Sequence, residues 1–218
     1  MLLALDLPAH DIITTNLTFT RDISRIFAQR CVSCHRATSS IPLTTYEEAR
    51  PWAVSIKEQV LSRAMPPWGA VKGFGNLTPD HALSQEEIMI ISAWVIGGAP
   101  KGDPKLLPKP GGSPIPVDTP PALKDAVVIQ TRAELNMRVH AAGLRPLPDR
   151  LVNSARLIAR LPDGRIEPLV WLYRYDPKLD PVFTFSQPLD LPIGTVVESS
   201  TPLRFALETV APSSVARR

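Results

Sequence analysis

The chain of 218 residues has little cysteine (two residues), few aromatics (6%) and almost no excess charge. Each shortage removes a class of protein. Two cysteines allow at most one disulfide, which excludes a densely stapled secreted scaffold. Twenty-four Lys and Arg against 21 Asp and Glu leave a formal net charge of +3, too small and too evenly spread for nucleic-acid binding. No apolar run reaches the ~20 residues of a membrane-spanning helix. The longest, Ile88 to Ala99, is broken by Ser92, Gly97 and Gly98. What the chain does hold is a 44% apolar fraction, which supports a packed core and excludes disorder. It also holds 24 prolines, about 11% of the residues against a usual ~5%. Proline lacks a backbone donor and breaks helix interiors, so long helices are not expected over much of the chain.

Both cysteines fall in Cys31-Val32-Ser33-Cys34-His35. A thioredoxin-like redox pair belongs near a βαβ pattern, whereas the flanks here read as helical. Structural zinc needs four ligands, usually from a second Cys or His pair at similar spacing. The other histidines, His10, His81 and His140, are scattered. C-x-x-C followed at once by His is instead the pattern of covalent c-type haem attachment. On a turn of helix, thiols three residues apart reach the two haem vinyls, and the adjacent imidazole swings under the iron. One covalent haem c is expected on Cys31 and Cys34, with His35 as the proximal iron ligand.

A protein that only carries electrons fills the sixth iron position, while one that does chemistry leaves it open. Met65 is the distal candidate. It follows a predicted helix over 52–63 and precedes Pro66-Pro67-Trp68, where two prolines lock the backbone beside the thioether. A thioether raises the potential relative to two imidazoles. Met1 is terminal, Met137 lies in a segment of different character, and Met89 sits in an apolar helix where core packing is expected. His81, in the turn-like Pro79-Asp80-His81, is the runner-up ligand.

Helices are expected around this motif. Thr20 caps one carrying Ile23, Ile26 and Phe27 into Cys31. Thr44 and Glu47 form a capping-box pattern, and Pro51 stops or restarts that helix. The restarted helix carries Val54, Ile56, Val60 and Leu61. Ser84 and Glu87 form a second box ahead of Ile88, Ile91, Trp94 and Val95, in a helix that stops at Gly97-Gly98. Phe27 and Trp94 are expected to pack the first helix against the last.

Residues from about Arg21 to Asp103 resemble the monohaem cytochrome c domain common in Acidobacteria and Planctomycetes. The resemblance runs through 28–36 around the C-x-x-C-H, 42–53 (PLTTYEEARPWA), Met65-Pro66-Pro67-Trp68, and 83–88 with Trp94 and Gly97-Gly98-Ala99-Pro100. It implies haem thioethers on Cys31 and Cys34, with His35 and Met65 as the axial pair.

The second half is different material. Residues 101–121 hold seven prolines and three glycines without periodicity, which reads as a semi-extended linker. Short extended runs follow. In 154–161, Ala155, Leu157, Ala159 and Leu161 alternate with polar residues. Pro162-Asp163-Gly164-Arg165 is a turn signal, and 166–175 returns as the partner strand. Runs at 126–130, 183–185, 194–199 and 203–209 complete six or seven strands, spaced as in an antiparallel sandwich. Over about 154–208 this half is similar to the C-terminal β-sandwich of copper type II, ascorbate-dependent monooxygenases. The copper site of those enzymes uses two histidines and a methionine. Here the whole second half holds one Met and one His, Met137 and His140, both before that stretch and too few donors for copper, so a docking role for the sandwich is the stronger expectation.

The expected fold class is therefore α + β in two domains: an all-α cytochrome c fold over 1–105, a Pro-rich linker over 106–121, and a β-sandwich docking domain over 122–218. The expected function is single-electron transfer within, or docked to, a larger redox complex. Residues 1–105 balance ten basic against ten acidic side chains, and a diffusing carrier would show a charged face. The partner is a redox protein or a membrane-associated electron-transfer complex. Two alternatives are a haem-fed oxidoreductase with chemistry in or near the sandwich, and an interaction subunit with a mainly structural haem. Covalent haem attachment implies a periplasmic location, although Met1-Leu2-Leu3-Ala4-Leu5-Asp6 shows no evident signal peptide.

Overall fold

The computed structural model describes residues 16–108, 125–179 and 181–210. The chain divides into two compact units, Met1–Leu61 with Gln85–Pro114, and Ser62–Ser84 with Ile115–Arg218. The expected fold class is corrected by this structure. The chain is mostly β, built on two four-stranded antiparallel sheets, with short helices and no all-α cytochrome c domain over 1–105. The physical reason lies in residues 62–84, which are rich in proline and glycine, form no helix and hydrogen-bond to strands. The linker expected over 106–121 falls mostly outside the described residues. Among the described residues no helix is long and apolar enough to cross a membrane.

The first unit carries α1 (Ser24–Arg30), α2 (Tyr46–Ala49), α3 (Ala53–Leu61) and α4 (Gln85–Ile96). A π-type turn at Phe19–Ile23 leads into α1, and its cap is Thr18, not Thr20, which is buried. The capping box of α2 lies one residue beyond the expected Thr44 and Glu47. Thr45 and Glu48 form it, and the Glu48 carboxylate also accepts from the Thr44 hydroxyl at 2.6 Å. Phe27 and Trp94 are fully buried, and Phe19 joins them. Its ring centroid lies 6.0 Å from Phe27, 6.1 Å from Trp94 and 5.6 Å from Tyr46. Backbone and side chains then stitch residues 99–101 to this cluster. Trp94 Nε1 donates to the Pro100 carbonyl at 3.0 Å, the Tyr46 hydroxyl to Ala99 at 3.1 Å, and the Phe19 amide to Pro100 at 3.0 Å. Met89 is not core: it is 62% exposed. Helix α4 is apolar nearly all round, so its periodicity does not select the buried face, which is taken by Ile88, Ile91 and Trp94.

Among its described residues the second unit has eight strands, β1 (Asp125–Ile129), β2 (Arg132–Glu134), β3 (Val139–Pro146), β4 (Val152–Arg160), β5 (Ile166–Tyr175), β6 (Phe183–Leu191), β7 (Val196–Ser199) and β8 (Phe205–Thr209). They form sheets ordered β1-β8-β3-β6 and β2-β7-β4-β5. Ala155, Leu157 and Ala159 of β4 and Leu144, Phe183 and Leu207 from the other sheet share one apolar core. Apolar residues of both sheets meet there, and burial of such side chains is the main force holding the layers together.

Strands β5 and β6 end their sheets, and residues 69–78 complete both. The Tyr173 amide donates to Gly69 at 3.0 Å and Val71 to Trp171 at 2.9 Å, on β5. The Thr78 amide donates to Thr184 at 2.9 Å and Ser186 to Asn76 at 2.8 Å, on β6. Trp68 packs edge-on against Phe183 at 5.0 Å, and Lys72 meets Asp80 at 3.1 Å. One stretch of chain thus covers two strand edges that would otherwise present unpaired backbone groups. At Gly75 the fit is closest. Its φ is +81°, and a Cβ there would lie 2.0 Å from the Leu169 carbonyl oxygen. Gly73 has a similar φ, +82°, and open space around it. Gly75→Ala is therefore expected to cost ~3 kcal/mol, strain plus overpacking, and Gly73→Ala about 1–2 kcal/mol from strain alone. Thermal unfolding of the two variants measures the difference; equal melting temperatures would remove the close contact as its cause.

Candidate functional site

Helix α1 does not stop cleanly at Arg30. The amides of Cys31 and Val32 both donate to the Phe27 carbonyl at 2.9 Å, and those of Cys34 and His35 donate to Cys31 at 3.1 and 2.9 Å. The C-x-x-C-H segment is thus wound as turns on the end of the helix. Because Phe27 is anchored in the aromatic cluster, the core of the first unit sets where this turn begins. After it, the chain closes a small loop in which the Leu43 amide returns to the His35 carbonyl at 3.1 Å, with Leu43 buried.

Inside that loop, His35 Nδ1 lies 2.8 Å from the Ile41 carbonyl oxygen. A carbonyl only accepts, so Nδ1 is the donor, and in the neutral ring this leaves the lone pair on Nε2. This second contact orients a ligating imidazole and fixes its tautomer. Ile41 precedes Pro42, which biases its backbone towards extended geometry. Sequence spacing carried no sign that Ile41 would meet His35.

The two thiols differ. Both are free; Cys31 is half-buried and Cys34 exposed. Burial, and then the Glu87 carboxylate, push the Cys31 thiol up to about 12, against a smaller opposing effect of Arg30. Glu87 is held by Arg30 at 3.1 Å, tying the end of α1 to the first turn of α4. Reactive members of redox C-x-x-C pairs have lowered thiol pKa values, so Cys31 is tuned in the opposite direction. Among the described residues no three His, Cys, Asp or Glu side chains are grouped to hold a metal ion. The donor set fits covalent haem, in which the thiols bond to the porphyrin and the imidazole alone from this turn meets iron.

The remaining predicted residues lie in the second unit. Met65 is 40% exposed and stands at the start of the segment that covers the strand edges. His81, the runner-up, is exposed and packs edge-on against Trp68 at 4.9 Å. His140, on β3, has Nδ1 3.5 Å from an Asp190 carboxylate oxygen, while Met137 is 60% exposed. No protein-family model, curated protein or solved structure matches the chain.

In chain made without haem, the thiols should alkylate unequally at pH 8. Cys34 is exposed, whereas Cys31 is held as the unreactive thiol because its pKa stands far above the pH. Mass spectrometry after limited iodoacetamide treatment should show Cys34 modified at least ~10-fold faster. Equal rates would contradict the burial and charge environment described for Cys31.

Proposed function

We propose that this chain is a c-type haem protein that transfers single electrons, with the haem bonded to Cys31 and Cys34 and His35 as its proximal ligand. The observation carrying this reading is the hydrogen bond from His35 Nδ1 to Ile41, which readies Nε2 for iron in a turn that already holds both thiols. Bound there, the haem iron supplies reversible one-electron exchange. The chain's own residues do the rest. Cys31 and Cys34 would hold the haem through two thioethers, each the addition of an S–H across a vinyl group with the hydrogen on one vinyl carbon and the sulfur on the other. His35 is kept in one tautomer and one orientation. Cys34 puts one attachment point at the surface of its unit, where exchange with a partner takes place.

Met65 is assigned as the distal ligand on the pattern Met65-Pro66-Pro67-Trp68 alone. Its thioether would fill the sixth position, keep small ligands off the iron and raise the potential. The raised Cys31 pKa speaks against a dithiol redox pair. The balanced charge of residues 1–105 supports service within a larger redox complex, with the second unit as the docking part. Covalent haem attachment also argues for a periplasmic setting.

Expression with a c-type haem maturation system tests the reading. The protein should keep haem through denaturing electrophoresis and give the spectrum of a thioether-linked haem; chain that matures without covalent haem would overturn it. Cys31→Ser with Cys34→Ser should abolish attachment. Met65→Ala should abolish the sulfur-to-iron charge-transfer band and open the ferrous iron to carbon monoxide. Persistence of that band would remove Met65 from the site while leaving the haem assignment intact.

A further inference from the structure

One end of the sheets in the second unit opens into a cleft of about 640 Å³, within the size range of binding pockets. Three connections wall it: residues 130–131 after β1, 147–151 between β3 and β4 with the start of β4, and 201–204 before β8. These walls are pinned to one another by main-chain hydrogen bonds. The Leu147 amide donates to Arg204 at 2.8 Å, Ser199 to Thr131 at 2.9 Å, and Ser200 to Arg156 at 2.9 Å. Arg156 returns its own amide to the Ser200 hydroxyl at 2.9 Å, and Leu203 is buried beneath the loop. A cleft held this way loses little further entropy when it is filled.

The cleft brings two arginines together. Outside it, five guanidinium groups of the unit are committed, Arg132 and Arg160 to Glu198, Arg138 to Asp190, Arg145 to Glu208 and Arg165 to Asp163, while Arg174 of β5 stands without an ion pair among the described residues and does not line the cleft. Arg156 lies over the Trp171 ring at 4.4 Å. The two arginines lining the cleft, Arg150 and Arg204, make no ion pair among the described residues. Asp149 is the one carboxylate lining it, so the cleft is net positive. Guanidinium stays charged at all working pH and matches a carboxylate with two parallel donors. The cleft also presents Leu151, 52% exposed, with Pro148 in the same wall and Pro202 in another. A small inorganic anion has no use for that apolar surface; a peptide does.

We propose that this cleft docks an extended acidic segment of a protein partner, with carboxylates on Arg150 and Arg204 and an apolar side chain against Leu151. The site lies wholly in the second unit and does not depend on haem, so its test reads neither colour nor redox activity. A fluorescent peptide of repeating Glu-Leu-Glu-Gly is titrated with the full chain and followed by anisotropy, beside the uncharged Gln-Leu-Gln-Gly peptide. The acidic peptide should bind, more weakly as salt rises, and the uncharged one should not. Arg150→Glu with Arg204→Glu should weaken binding about tenfold or more, and Arg150→Gln with Arg204→Gln should weaken it less. Leu151→Ser should weaken it without changing the salt dependence. Arg174→Glu with Lys178→Glu, the same charge change at exposed residues of the second unit that do not line the cleft, should leave it within about twofold. Equal losses in the two charge-reversed proteins would overturn the proposal, since net charge alone would then explain binding. Unchanged binding in both arginine pairs, with their melting curves intact, would overturn it as well. Displacement of the peptide by inorganic phosphate at matched ionic strength would assign the cleft to small anions instead.

Discussion

Hydrogen bonds to the outer edges of β5 and β6 are the constraint on which the second unit depends. A strand at the end of a sheet leaves a row of backbone donors and acceptors facing outward, and these need partners or water. Residues 69–78 serve both edges, giving main-chain bonds to Trp171 and Tyr173 on one side and to Thr184 and Ser186 on the other. That double commitment explains several local features. It brings Gly75 against the Leu169 carbonyl, where a side chain has no room. It seats Trp68 on Phe183, and it places Phe74 edge-on to Trp171 at 6.0 Å. It also explains why a stretch inserted between α3 and α4 contributes nothing helical.

The first unit answers to a different constraint, the clustering of Phe19, Phe27, Tyr46 and Trp94. These rings fix where α1 ends, and the end of α1 fixes where the two cysteines and His35 fall. The chemical readiness of the turn comes from main-chain atoms and one carboxylate. Ile41 offers a carbonyl that sets the imidazole, while burial, and after it Glu87, discourages ionisation of Cys31. None of this needs a large cavity or a charged funnel. It needs a short helix held firmly at one point and a loop closed by its own hydrogen bonds.

What the sequence revealed followed the range of the interactions. The C-x-x-C-H motif and the turn at 162–165 rest on neighbours within a few residues, and both are readable directly. At α2 the pattern alone puts the cap one residue early, because Thr44 and Thr45 both reach the same Glu48 carboxylate. Strand β3 went unseen because it is buried along most of its length, with Ala141, Ala142 and Gly143 at its centre and little alternation to mark it. Met89 looks like core for a related reason, since a helix apolar on nearly all sides hides which side is inward. Residues 62–84 look local to the helices around them because their partners lie a hundred positions downstream, and no local pattern announces that Ser186 donates to Asn76.

That distance has a consequence in time. Asn76 and Ser186 are 110 positions apart, and a chain is made from its N-terminus at a finite pace. Residues 69–78 therefore leave the ribosome well before β5 and β6 exist, with open backbone groups and with Trp68 lacking Phe183. A segment in that condition is a candidate for pairing with the wrong strand. Pro66, Pro67 and Pro79 stand at its two ends, and proline cannot donate to a ladder. The proline content that first reads as an obstacle to helices acts here as a guard during synthesis, limiting how far a mistaken pairing extends before the proper edges arrive.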